Sequence, residues 1–119
     1  LATAYRKVNK FDEALEALMN IDDLYPDQTS VYHEIARCLM GKSLYIEAFD
    51  YIFQAFKRKP EDPAIMANMG IVYMHIGRLN EAYTLMTHAQ KMEPNNLELA
   101  PFIEEVKRLI NRKKNIQNN

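Results

Sequence analysis

Apolar residues recur along this chain in helical stripes separated by short polar breaks. Met66, Met69, Gly70 and Tyr73 stand at i, i+3, i+4 and i+7, the spacing of one face of an amphipathic helix. Gly77-Arg78 interrupts the pattern. A second stripe of Leu79, Ala82, Met86 and Ala89 follows, and Pro94, which cannot continue a helix, closes it. The same order appears upstream, with breaks at Gly41-Lys42-Ser43 and at Asn9-Lys10. Start signals agree with these limits. Asp62 before Pro63 predicts a capped helix with a proline tolerated in its first turn. Asn96 holds the equivalent place before a last helix, and Asp27 or Thr29 is expected to cap the middle unit.

The stripes repeat with a fixed step. Ala14, Ala48 and Ala82 are 34 residues apart, as are Pro26, Pro60 and Pro94. The same step links Phe11, Tyr45 and Leu79, then Leu18, Ile52 and Met86, then Leu1, Ile35 and Met69. It also links Ala2, Ala36 and Gly70, and Tyr5, Leu39 and Tyr73. These columns keep size and polarity without an insertion. The small columns predict close helix crossings, where a bulky residue would overpack the contact at a cost of about 1–3 kcal/mol.

This pattern resembles the tetratricopeptide repeat family, whose signature runs W-x2-L-G-x2-Y, A-x3-F and P over one repeat. The third unit has Met66-x2-Met69-Gly70-x2-Tyr73, Ala82-x3-Met86 and Pro94. The second has Tyr32-x2-Ile35-Ala36-x2-Leu39, Ala48-x3-Ile52 and Pro60. The first begins inside the motif, at Leu1-Ala2-x2-Tyr5, and continues with Ala14-x3-Leu18 and Pro26. Met66 replaces the usual opening aromatic, a change that a helix core accommodates. The resemblance implies an all-α fold, a right-handed α-solenoid of antiparallel helix pairs with about seven helices. Residues 1–28 form a truncated first repeat, 29–62 the second and 63–96 the third. Residues 97–114 are a C-terminal capping helix, with Leu99, Ile103, Val106 and Ile110 as its apolar stripe, and 115–119 a disordered tail. Because the chain opens in what is already helix interior, a piece of a larger repeat protein is expected.

The resemblance also implies a function, protein–protein interaction. The family holds a peptide or partner helix in a concave groove lined by the first helix of each pair. The groove positions between the core columns are Thr3, Arg6 and Lys7 in the first unit. In the second they are Ser30, His33, Arg37 and Met40. In the third they are Ala64, Ala67, Ile71, Met74 and His75. Met40 and Met74, one repeat apart, are expected as neighbours on the groove wall, with an apolar floor and a basic N-terminal rim. Thioether side chains suit an adaptable apolar contact. The competing reading is that these are ordinary exposed helix residues. Some family members clamp a chaperone's C-terminal carboxylate with a Lys-x3-Asn, a second Asn and a Lys-x3-Arg. Here His33-x3-Arg37 and Asn68 offer part of that set, but Glu98 and Phe102 stand where cations are needed, so a complete clamp is not expected.

A second surface supports an alternative, a structural or self-association module that uses residues 44–57 or the exposed terminal repeat edge. That stretch is apolar nearly all round, and such a helix is normally buried. Repeat packing accounts for Tyr45, Phe49, Ile52 and Phe56. It leaves Ile46 and Phe53 without an assigned neighbour and Tyr51 partly covered. A homo-oligomer or second partner on that face would account for them.

Composition narrows the remaining classes. The formal net charge of −1 supplies no field for nucleic acid or an anionic membrane. No apolar run approaches the roughly 18–20 residues that span a bilayer, and no signal peptide is evident. Lys107, Arg108, Arg112, Lys113 and Lys114 instead complement a helix C-terminus and continue into a solvated tail. The one cysteine, Cys38, precludes an internal disulfide and fits a reducing compartment, so a cytoplasmic location is expected. As a helix residue beside the core it is an inert thiol rather than a nucleophile. His33, His75 and His88 lack ligand spacing, so no metal or other cofactor is expected. Adjacent acids such as Asp22-Asp23 and Glu104-Glu105 point about 100° apart on a helix and cannot share a proton across a substrate. With no catalytic residues and no Gly-rich phosphate loop, the chain is not expected to be an enzyme.

Overall fold

Two of the three polar breaks become tight turns built on a left-handed residue. The computed structural model describes residues 2–118, with side chains for residues 10–117. Among the described residues there are six helices and no strand, in two compact units, Leu1–Pro60 and Glu61–Asn119.

In the first unit α1 (Ala2–Leu24) packs on α2 (Thr29–Gly41), and α2 on α3 (Tyr45–Arg58). Ile35, Ala36, Leu39, Ala48, Ile52 and Ala55 are buried. The Phe11 ring lies over Gly41 so closely that a Cβ there would stand 2.3 Å from it. At the α2–α3 turn Ser43 adopts φ 63°, and the Leu44 N–H donates to the Leu39 carbonyl at 2.8 Å. This bond, with Ser43 N–H to Met40 O at 2.9 Å, satisfies the last helical carbonyls.

The second unit repeats the device. Here α4 (Pro63–His75) packs on α5 (Leu79–Met92), and α5 on α6 (Ala100–Asn118). Gly77 takes φ 88°, and the Arg78 N–H donates to the Tyr73 carbonyl at 2.8 Å. Met66, Met69, Val72, Met86, Ile103 and Val106 are buried. Each such large side chain stabilises by about 1.5–3 kcal/mol. Asp62 caps α4 as expected, its carboxylate accepting from the N–H of Ala64 at 2.9 Å and of Ile65 at 3.3 Å.

The fold is all-helical as expected, and the six helices among the described residues are close to the about seven anticipated, with α1 continuing through Asn9-Lys10. Asn9 is the equivalent of Ser43 and Gly77. A left-handed conformation there costs a non-glycine residue about 1–2 kcal/mol, which the helical path avoids. Neither Asp27 nor Thr29 caps α2. Gln28 holds the N-cap position without a side-chain bond, and the Asp27 carboxylate is engaged by Arg58 instead. Finally, the last helix begins at Ala100 and runs through Asn118, so 115–118 are helical. Asn96 accepts from the Glu98 N–H at 3.0 Å and caps a turn that precedes the helix, and no Gly or Pro interrupts the residues after Pro101.

Candidate interaction surfaces

In each unit one helix, α2 in the first and α4 in the second, leaves a strip outside the core. On α2 the buried residues are Val31, Ile35, Ala36, Cys38 and Leu39. His33, Arg37 and Met40 stand at i, i+4 and i+7 on another face. His33 and Met40 are half-buried, and Arg37 is exposed and paired with Glu34 at 3.0 Å. On α4 the buried set is Ile65, Met66, Met69, Gly70 and Val72. Ala67, Ile71 and Met74 occupy the corresponding strip and are half-buried, while His75 is exposed in the last turn. Partial desolvation holds the His75 imidazole below its usual 6.5. Ser30 and Ala64 are exposed at the strip starts. The side chains of Thr3, Arg6 and Lys7 lie outside the described residues.

The chemistry of the two strips differs. The α2 strip carries imidazole, guanidinium and thioether groups. The α4 strip is apolar up to His75. Its apolar residues are only partly covered and are not among the buried residues of α4. Between the strip and the core, Cys38 is buried, and burial raises its thiol pKa, with Glu34 adding to the effect and Arg37 opposing it. The thiol is therefore held in its neutral form. Among the described residues no cluster of His, Cys, Asp or Glu could hold a metal ion, and no helix is long and apolar enough to cross a membrane.

The second proposed surface is smaller than the sequence implies. Phe53 is half-buried and stacks on Phe49, with centroids 5.6 Å apart, and Lys57 Nζ lies 5.3 Å above its ring. The Tyr51 hydroxyl meets Met19 Sδ at 3.7 Å, and its ring lies 6.0 Å from that of Tyr32. Ile46 alone of the three is fully open, at 76% exposure.

Sequence reasoning missed two features. Arg58 Nη2 binds Asp27 at 2.9 Å while the guanidinium covers the Tyr32 ring at 5.0 Å, and the Tyr32 hydroxyl donates to the same carboxylate at 3.3 Å. Burial first, then the charges of Asp22 and Asp27, raise the Tyr32 pKa. The group ties the ends of α1 and α3 to the start of α2, and no sequence periodicity signals it. The other feature is an open cleft of about 400 Å³ between α5 and α6, lined by Gly77, Leu79, Ile110, Lys113 and Lys114 among others.

Comparison with known proteins agrees with this geometry. Residues 63–96 match the family model described as tetratricopeptide repeat. The BBSome complex member BBS4 of Mus musculus is 26% identical over 89 residues, covering 75% of this chain and 17% of that protein. The chain thus spans about a sixth of that relative's length. Among solved structures, the first TPR of Spaghetti (RPAP3) bound to the HSP90 peptide SRMEEVD superposes with a TM-score of 0.78 at 19% identity, over 89% of this chain and 84% of that one. The Yersinia enterocolitica type III secretion chaperone SycD, in complex with a peptide of the translocator YopD, gives 0.66 at 15% identity, over 98% and 90%. At these identities the likeness is one of fold.

Proposed function

We infer, for a chain whose residues 63–96 are a tetratricopeptide repeat and whose fold is that of such domains, a scaffold that holds a segment of a partner protein. Each unit offers its own strip for such a segment, His33, Arg37 and Met40 on α2 in the first and Ala67, Ile71, Met74 and His75 on α4 in the second. Thr3, Arg6 and Lys7 extend the same register into α1. One observation carries the reading: Ile71 and Met74 are apolar, half-buried and unused by the α4–α5 core. Neighbours of this fold that hold an HSP90 peptide and a YopD peptide support it. No catalytic residue is assigned.

The α4 strip favours apolar ligand side chains against Ile71 and Met74, and the α2 strip favours an acidic group at Arg37. A free acidic C-terminus is not favoured, because Glu98 and the half-buried Phe102 stand where a carboxylate clamp needs cations. Self-association through α3 is the weaker reading, since Phe53 and Tyr51 are engaged within their own unit.

The test uses a displayed library of amphipathic peptides and the SRMEEVD peptide. Selected binders should lose about tenfold to hundredfold in affinity against Met40→Glu with Met74→Glu, the loss of about 1.5–3 kcal/mol expected of a buried apolar anchor. The melting temperature should hold, because neither residue is in the core. SRMEEVD should bind no tighter than a scrambled control. Undiminished binding by the double variant would move the site off these strips.

A further inference from the structure

The apolar stripe of α6 is closed at its start and opens toward its end. Leu99, Ile103 and Val106 are buried, whereas Ile110, next in the stripe, is only half-buried. There a cleft of about 400 Å³ stands between the second half of α6 and the start of α5. A second cleft of about 410 Å³ shares Asn80, Ile110 and Lys114 with it, so the two form one groove. Clefts of this size accommodate a ligand or the side chains of a peptide.

The repeat columns do not prepare this groove for a further helix pair. One step on from Gly70, where a second helix approaches closely, stands Glu104, and one step on from Tyr73 stands Lys107. The place of Gly77, where the chain turns back, is held by Asn111, and α6 runs straight through it to Asn118. A second helix laid here would meet charged side chains instead of a small column.

The lining residues are of three kinds. Leu79 and Ile110, half-buried, and Tyr83, exposed, are apolar. Asn80 and Asn111 bring carboxamides, which both donate to and accept from a peptide main chain. Arg78, Lys107, Lys113 and Lys114 bring positive charge against the single negative charge of Glu81, in a chain whose net charge is −1. Arg78 is paired with Glu81 at 2.9 Å and Lys107 with Glu104 at 3.3 Å. Among the described residues Lys113 and Lys114 enter no ion pair.

This chemistry selects an occupant. Unpaired cations beside apolar surface and carboxamides complement a segment with carboxylates, one large apolar side chain and an extended main chain. An extended polyanion is a poorer fit, because Glu81 lines the groove and Glu104 stands one turn before Lys107. A flat membrane surface cannot enter a cleft between two helices.

We propose that the α5–α6 groove is a docking site for an extended acidic peptide segment of a partner protein. Its apolar side chain lies beside Leu79, Tyr83 and Ile110, and its flanking carboxylates meet Lys113 and Lys114. The site uses none of the residues of the α2 and α4 strips.

Fluorescence anisotropy of the full chain with the labelled, terminally blocked peptide DEFDE tests the proposal. Saturable binding is expected, weakened as salt screens the exposed lysines. Lys113→Glu with Lys114→Glu should weaken it by about tenfold, and Tyr83→Ser by about threefold to tenfold. These positions are exposed, so circular dichroism and melting should hold. The control peptides KKFKK and DEGDE should bind about tenfold more weakly than DEFDE. Amide resonances of residues 79–83 and 107–114 should shift, and Met40→Glu with Met74→Glu should leave the affinity unchanged. No saturable binding, or binding indifferent to the lysine substitutions, would overturn the proposal. So would loss of binding in the Met40 and Met74 variant, which would place the peptide on the strips. Tighter binding of phosphatidylserine vesicles or oligouridylate through the same lysines would also overturn it.

Discussion

Gly70 is the position where a single methyl group should change sign with its surroundings. A Cβ there would lie 2.8 Å from Met86 Cγ and 3.4 Å from the Ala82 carbonyl oxygen and the Met86 nitrogen. Two effects oppose each other. Alanine gains about 0.8–1 kcal/mol over glycine inside a helix. Against this, Met86 is fully buried and its Cγ must move, and overpacking of this kind costs about 1–3 kcal/mol. Gly70→Ala alone should therefore destabilise by about 1 kcal/mol. Met86→Ala alone should cost about 2–5 kcal/mol through lost burial and the cavity it leaves. In the Met86→Ala background the obstructing Cγ is gone and only ordinary contacts remain. There Gly70→Ala should stabilise by about 1 kcal/mol, a coupling of about 2 kcal/mol between the two sites. Because repeat units unfold partly independently, hydrogen exchange of the α4 and α5 amides in the four proteins is the appropriate assay. If Gly70→Ala has the same sign and size in both backgrounds, the close approach of α4 to Met86 is not what requires glycine.

Three further outcomes follow from single features. Asp62→Ala should cost about 1 kcal/mol by removing the acceptor of the Ala64 and Ile65 N–H groups, and Asp62→Asn should restore most of it in a denaturant titration. Gly77→Ala meets no atom within 4 Å, so its cost should be the backbone term of about 1–2 kcal/mol alone, with Gly77→Asn recovering part of it in the same assay. His75 has a folded pKa below 6.5, so the unfolded chain binds its proton first. Its contribution to stability should be complete above pH 6.5 and decline as pH falls from there toward the folded value. An NMR titration of the His75 ring, together with a flatter pH–stability slope in His75→Gln, checks this.

The repeat was legible because it depends on local spacing. The small columns at Ala36, Gly70, Ala48 and Ala82, and the large ones at Ile35, Met69, Ile52 and Met86, appear as buried residues in the places the 34-residue step assigns. The strips were legible by subtraction, as the positions on each first helix that the core columns leave over. What stayed hidden depends on partners distant in sequence. The Asp27 carboxylate caps nothing because Arg58 lies within 2.9 Å of it. Tyr51 is not a free aromatic because its hydroxyl meets Met19 Sδ on α1 at 3.7 Å.

Asn9 and Ser43 show the same division most directly. Both are polar, both stand at the turn position of their unit, and neither is glycine. Ser43 accepts φ 63° because α2 and α3 then bury Ile35, Leu39, Ala48 and Ile52 against one another, and that burial exceeds the about 1–2 kcal/mol cost of the left-handed backbone. Asn9 stays helical with Ala14, Leu18 and Ile21 still open on the same helix. The break is thus a tertiary decision that a local turn signal permits but does not impose. A column in this fold is either closed by its own unit or left for another surface to close. The half-buried strips of α2 and α4 are therefore the parts of the chain where partners are to be sought.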